Sequence, residues 1–256
     1  MIHKIKNYSG FLLIVVLIIV WEIYSRAISD SLYLPPFSDI FRTCVLQLTT
    51  ATYLQDIGYS LMRCFTGYFL ASLIMIPLGV LMGRNNLVYS LFEPLVEFFR
   101  PMPSAAIIPI AILFFGIGDK MKLFVVFFGA SWPILINTID GVRGVEPMYI
   151  QTGMVFGFSP QKILYKIIIP ASLPGIFTGM RISVAIALIL VITVEMIAGG
   201  NGIGYFILDA ERSFHFAEMY AGVFTIGLMG YGINLLLSKL ENKVLWWYKQ
   251  SKIVNK

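Results

Sequence analysis

The stretch Glu146-Pro147-Met148-Tyr149-Ile150-Gln151-Thr152-Gly153-Met154-Val155-Phe156-Gly157-Phe158-Ser159-Pro160 decides how the chain is read. It is longer than a minimal loop between apolar runs and too regular for a linker. Its punctuation predicts two short helices. The first closes at Gly157, because glycine readily takes the left-handed conformation that ends a helix. The second opens with Ser159 as N-cap and Pro160 at the first helical position, where a missing N–H costs nothing. From Pro160 to Ile168, Ile163, Leu164, Ile167 and Ile168 share one side, and Lys162 and Lys166 stand one turn apart on another. Such a helix can rest on a membrane surface. Pro170 and Pro174 are expected to interrupt the chain before the next apolar run, leaving a rigid helix-turn-helix over 141–175.

Around this element the chain is built for a bilayer. Of its 256 residues 58% are hydrophobic and 13% charged, and mean hydropathy is +0.81, against roughly 45–50% and about 25% in soluble domains. A hydrocarbon core about 30 Å thick takes about 20 apolar residues per helical span. The apolar runs predict an all-α polytopic protein of about six spans: an N-terminal span over 8–28, then Tyr59–Met82, Met102–Phe115, Leu123–Ile139, Ile176–Ala198 and Met219–Leu237. Cleavage as a signal peptide is the alternative for the first, with Ser25-Arg26-Ala27 behind it. A retained span is preferred because the rest of the chain is itself bilayer-like. The third span is entered through Glu93–Pro103, which carries Glu97, Arg100 and two prolines, so a bent or interfacial approach is expected.

Lys and Arg collect in three places: Lys4 and Lys6, then Arg143, Lys162 and Lys166, then Lys239, Lys243, Lys249, Lys252 and Lys256 beside Trp246, Trp247 and Tyr248. Six spans put all three on one side, and positively charged loops stay cytoplasmic, so both termini are expected in the cytoplasm. The formal charge of +5 is too small and too dispersed for a nucleic-acid surface. Cys44 and Cys64 form no metal motif or disulfide framework, His3 and His215 are isolated, and no catalytic constellation appears. The chain has no G-x-x-x-x-G-K-[ST] phosphate loop, so ATP hydrolysis cannot be its own by that device. Gly79-x-x-x-Gly83 and Gly175-x-x-x-Gly179 are read as helix packing within one subunit.

The 151–170 stretch resembles the EAA loop of ABC importer permeases, whose pattern is E-A-A, three residues, Gly, nine residues, I-x-L-P. Gly157 takes the Gly position, and Ile167, Ile169 and Pro170 take I, L and P. Gln151-Thr152-Gly153 stands where that family has Glu-Ala-Ala, which touches the usual charged contact and not the fold of the loop. The resemblance covers nearly the whole chain and extends to the nitrate, sulfonate and taurine branch. It rests on Trp21-Glu22, Leu34-Pro35-Pro36, Ile76-Pro77-Leu78-Gly79, Arg100-Pro101-Met102-Pro103, Phe115-Gly116-Ile117-Gly118, Glu195-Met196 and Gly202-Ile203-Gly204-Tyr205, in order.

The resemblance implies a single permease domain of the MetI-like fold, with a core over about 55–240. It also implies a second copy of the chain, cytoplasmic ATPase subunits that carry ATP and Mg, and an extracytoplasmic solute-binding protein. The host membrane would be the bacterial inner membrane, and the cargo a small organic or anionic solute such as a sulfonate, taurine, nitrate or a vitamin precursor. This chain itself would bind no cofactor or metal. ATPase coupling then falls to Gln151, Thr152, Gly153, Gly157, Phe158, Ser159, Ile167 and Pro170, with Gly157 permitting close approach and Pro170 stiffening the exit.

Candidates for the path or gate are Glu195, Met196, Asn137, Ser131 and Arg63. Glu195 is a costly intramembrane carboxylate read mainly as structural or gating, with substrate contact second. Arg63 reads first as snorkelling to head groups and second as attracting anions. Asn137 and Ser131 divide evenly between path lining and interhelical hydrogen bonds. Asp119, Lys120 and Lys122 read as a solvated turn. The competing function is an ion-gradient-driven carrier or channel, which should show an internal repeat and buried ion ligands; a membrane enzyme or a purely structural subunit explains the Gly157–Pro170 spacing less well.

Overall fold

The computed structural model describes residues 2–27 and 33–248, with side chains from Leu12 onward in those ranges. The side chains of His3, Lys4 and Lys6, together with Ile28, Asp30, Lys249, Lys252 and Lys256, lie outside the described residues. Helices α1 (Ile2–Ala27) and α2 (Phe37–Gln47) lead into α3 (Ala51–Arg84). Then come α4 (Asn86–Phe99), a 3-10 turn (Ser104–Ile107), α5 (Ile108–Phe115) and α6 (Asp119–Arg143). The short α7 (Pro147–Val155) and α8 (Pro160–Ile163) precede α9 (Ile169–Ile197), α10 (Ile203–Arg212) and α11 (Phe216–Val244). No strand occurs among the described residues.

Four stretches are long and apolar enough to cross a membrane: α3, α6, Pro160–Ile197 and α11. The pair α4 plus 104–115 bends by 90°, the bent entry expected around the prolines before the third span. The pair begins beside Arg84, whose guanidinium reaches the Pro160 carbonyl, and ends beside Asp119. It therefore makes one net crossing. Helix α1 extends about 39 Å at 1.5 Å per residue, long enough for a further span. Its exposed Leu12, Leu13, Ile14, Leu17 and Val20 suit a lipid-facing helix.

The core is α3, α6 and α9. Small residues let these helices close: a Cβ on Gly79 would lie 2.7 Å from Thr138 Cβ, and one on Gly179 would lie 2.7 Å from the Pro133 carbonyl oxygen. Met121, Val125, Val126, Ile134, Ala187 and Val191 fill the space between. Thus both GxxxG pairs serve packing inside the subunit, as expected.

Two sequence expectations change here. The chain is not interrupted at Pro170 and Pro174: Pro160–Ile197 runs as one 38-residue helical path. A π-type turn over Leu164–Ile168 takes up the irregularity just before Pro170, which sits in the first turn of α9 where no intrahelical N–H is required. The apolar side of the 160–168 segment also does not face lipid. Ile163 and Ile168 are buried with Val142 and Val145, and Val80, Ile150 and Phe158 close around them. Protein covers the face that a lone amphipathic helix would lay on the membrane.

Candidate functional site

Two sites stand at opposite ends of the bundle. At the end marked by Arg84 and Arg143, α7 and α8 form an elbow. Gly157 has φ +71°, its N–H donates to the Met154 carbonyl at 2.9 Å, and the Phe158 N–H donates to the Gly153 carbonyl at 3.0 Å. Those two bonds complete a Schellman closure. Ser159 Oγ then accepts the Lys162 N–H at 3.3 Å, and the Lys162 ammonium lies 4.0 Å from the Phe158 ring centroid.

A close approach within the elbow itself is made at Gly153. A Cβ on Gly157 would meet open space within this chain, and its backbone angle is what favours glycine there. A Cβ on Gly153 would come within 2.6 Å of Ile167 Cδ1, which makes Gly153 the point where the elbow's arms cross. Gln151 and Thr152 point outward, and Thr152 Oγ1 donates to its own helix at the Met148 carbonyl. Met148, Met154, Val155 and Phe156 are exposed at the elbow's tip, with Val155 at 87%.

At the other end, the paired groups are Arg63 of α3, Glu195 of α9 and Asp119 of α6. Arg63 is 1% exposed and Glu195 fully buried, so Arg63 does not snorkel. All five guanidinium N–H donors are taken. Nε and Nη2 meet Asp119 Oδ1 at 2.8 and 2.7 Å; Nη1 donates to Glu195 Oε1 at 2.7 Å and to the Asn201 carbonyl at 3.2 Å; Nη2 also reaches Asn201 Oδ1. Glu195 Oε2 accepts from Ser60 Oγ at 2.7 Å and from the Gly204 N–H at 3.1 Å. Ser60 Oγ in turn accepts the Ile203 N–H, and Asp56 Oδ1 accepts the Gly202 N–H at 2.6 Å.

The result is a clasp that closes the Gly199–Gly204 loop over a buried carboxylate. A Cβ on Gly202, where φ is +106°, would collide with the Glu195 carboxyl at 2.3 Å. Arg63 has no donor left for an anion, and Glu195 holds a loop rather than reaching interfacial water. The expected solvated turn holds in part: Asp119 and Lys120 are exposed, with Asp119 also paired to Arg63, while Lys122 is 3% exposed.

The remaining candidates do not join either site. Ser131 Oγ donates to the Phe127 carbonyl at 2.7 Å and Asn137 Nδ2 to the Pro133 carbonyl at 2.9 Å, bonds that stay within α6 and do not cross to another helix. Met196 packs against the main core.

Reading the sequence missed Arg181. It lies mid-way along α9 with its side chain 47% exposed, paired to Glu241 of α11. Arg181 and Glu195 are the only charges in the 29 residues of α9, a pattern that marks intramembrane ionisable groups for attention.

Comparison with known proteins defines the class. The model of the binding-protein-dependent transport system inner membrane component family matches residues 75–241, and the chain belongs to that family of ABC transporter permeases. Among curated relatives, the chain is 35% identical over 240 residues to a putative ABC transporter permease protein of Methanocaldococcus jannaschii, spanning 92% of this chain and 90% of that one. It is 34% identical over 248 residues to the bicarbonate transport system permease protein CmpB of Synechocystis sp. (92% and 85% covered). Against the nitrate import permease protein NrtB of Leptolyngbya laminosa it is 33% identical over 190 residues (74% and 68% covered). The fold is similar to that of an inward-facing MetNI methionine ABC transporter chain, with TM-score 0.66, 18% identity, and 75% and 95% of the two chains covered.

Proposed function

We propose that this permease forms the translocation path of an importer for a small inorganic or organic anion, of the bicarbonate, nitrate or sulfonate kind. ATP, with its Mg, is hydrolysed on cytoplasmic partner subunits and not by this chain. The single observation that carries the reading is the elbow of α7 and α8. Its tip exposes Met148, Met154, Val155 and Phe156 outside the spans, an apolar patch that a protein partner must cover in water. Closure of the ATPase subunits on two such elbows moves α9 through the continuous Pro160–Ile197 path, alternating access between two copies of the chain.

The elbow side is the cytoplasmic side of the bacterial inner membrane, since Arg84, Arg143, Lys162 and Lys166 stand on or beside the elbow. Both termini lie on that side in the six-span count. The opposite end, with its clasped loop, faces the solute-binding protein.

Purification of the tagged chain in mild detergent tests this. The expected result is a co-purified ATPase whose rate rises when the cognate binding protein is added; a chain that emerges alone and moves solute without ATP overturns it.

A further inference from the structure

Two arginines stand on the core helices, Arg63 with its side chain 1% exposed and Arg181 with its side chain 47% exposed. Arg63 has every donor filled, whereas Arg181 uses only Nη2, toward Glu241 Oε2 and Ser238 Oγ. Its Nε and Nη1 have no partner among the described residues. Open guanidinium donors on an exposed arginine are free to meet water or an anionic ligand.

The depth follows from a fixed contact. Ser183 Oγ donates to the Ala130 carbonyl at 2.7 Å, and Ala130 lies about 17 Å from the Asp119 end of α6 and about 20 Å from the Arg143 end. Arg181 stands two residues from Ser183 along α9, level with the last two turns of α11, where Ser238 and Glu241 lie.

Arg181 also opens onto a cleft of about 360 Å³ between α9 and α11, lined by Ala185, Ile189, Gly230 and Asn234 among others. Ala185 and Gly230 keep its walls low, and Asn234 adds an amide. On the same outward side of α9, Thr178 is exposed and Thr193 half-buried.

We propose that this cleft is part of the anion path and that Arg181 is its anion-contacting residue, with Glu241 as the carboxylate that holds the guanidinium when no anion is present. This extends the importer reading by naming a contact residue. An anion displaces Glu241 from part of the fork or fills the open Nε and Nη1 donors, so Arg181 selects for negative charge without binding it permanently.

The test uses thiol labelling in membranes holding the full assembly, independent of cargo. Ala185→Cys is exposed to two methanethiosulfonate reagents, one bearing a sulfonate and one a trimethylammonium, their rates normalised to a free thiol. Native Cys44 and Cys64 are buried and provide the unreactive background; Leu73→Cys on the outward side of α3 is the lipid-facing control.

Ala185→Cys should react and favour the sulfonate. Adding Arg181→Gln should lower that preference roughly tenfold, the effect expected of one nearby charge in a partly hydrated cleft. Arg181→Lys should keep most of it, and Glu241→Gln should raise it. Failure of Ala185→Cys to react with either reagent, or a preference unchanged by Arg181→Gln or by Glu241→Gln, overturns the assignment. Loss of wild-type anion uptake with the labelling pattern intact would strike the cargo reading alone.

Discussion

At the scale of single residues, the clasp makes an unequal pair of predictions. Glu195 and Arg63 are buried together, so Glu195→Gln removes the fully buried carboxylate that balances Arg63 and should cost about 3–5 kcal/mol. Asp119 is 57% exposed on its side chain, and Asp119→Asn should cost at most about 1 kcal/mol. Thermal unfolding of the two variants in detergent checks the order, and equal losses would show that Arg63 does not depend on its buried partner. Gly153 gives a second test, since the atom facing it is the end of a flexible Ile167 side chain. Gly153→Ala should be tolerated as Ile167 turns aside, whereas Gly153→Leu should separate the elbow's arms and abolish ATPase co-purification. Gly157→Ala should cost about 1–2 kcal/mol through its backbone angle alone. The residues of the clasp were each visible in the sequence, but Arg63 and Glu195 are 132 positions apart, and no local pattern joins them. The interhelical bonds expected of Asn137 and Ser131 are absent for the opposite reason: a polar side chain in an apolar helix can satisfy itself on its own backbone.

Among the elements, apolar run length revealed α3, α6, α9 and α11, and the Gly and Ser-Pro signals marked the elbow's turn. What the sequence concealed was continuity. Prolines at 170 and 174 read as a break, yet a π-type turn over 164–168 lets the helix pass them. Helices α2 and α10 are too short to leave a span signature and are held by tertiary contacts, such as Cys44 Sγ of α2 with Thr225 Oγ1 at 3.8 Å and the Tyr53–Phe206 ring pair for α10. The π-type turn sets the angle between the elbow and the path. Deleting Tyr165, which is exposed there, should convert the turn to regular helix and rotate the elbow by about 100° relative to α9. The variant should reach the membrane and fold, yet lose ATPase stimulation by the binding protein. Full stimulation in the deletion variant would mean the elbow's orientation is not what transmits the stroke.

For the whole molecule, the elbow and the clasp sit at opposite ends of one rigid set of helices. Arg84 beside the elbow and Arg63 in the clasp belong to the same α3, about 32 Å apart along it. Helix α9 likewise runs from the elbow to Glu195 and carries Arg181 between them. A movement imposed at one end is therefore delivered to the path and to the loop beyond it without an intervening joint. Mechanism was legible from sequence only as far as the elbow's spacing and the missing phosphate loop; the position of a selective charge required the packing of α9 against α11. The most direct measurement is uptake of labelled bicarbonate and nitrate into proteoliposomes holding this chain with its ATPase subunits and binding protein. The account predicts uptake of at least one of these anions that requires both ATP and the binding protein. Uptake that persists without ATP, driven by an ion gradient, would contradict it.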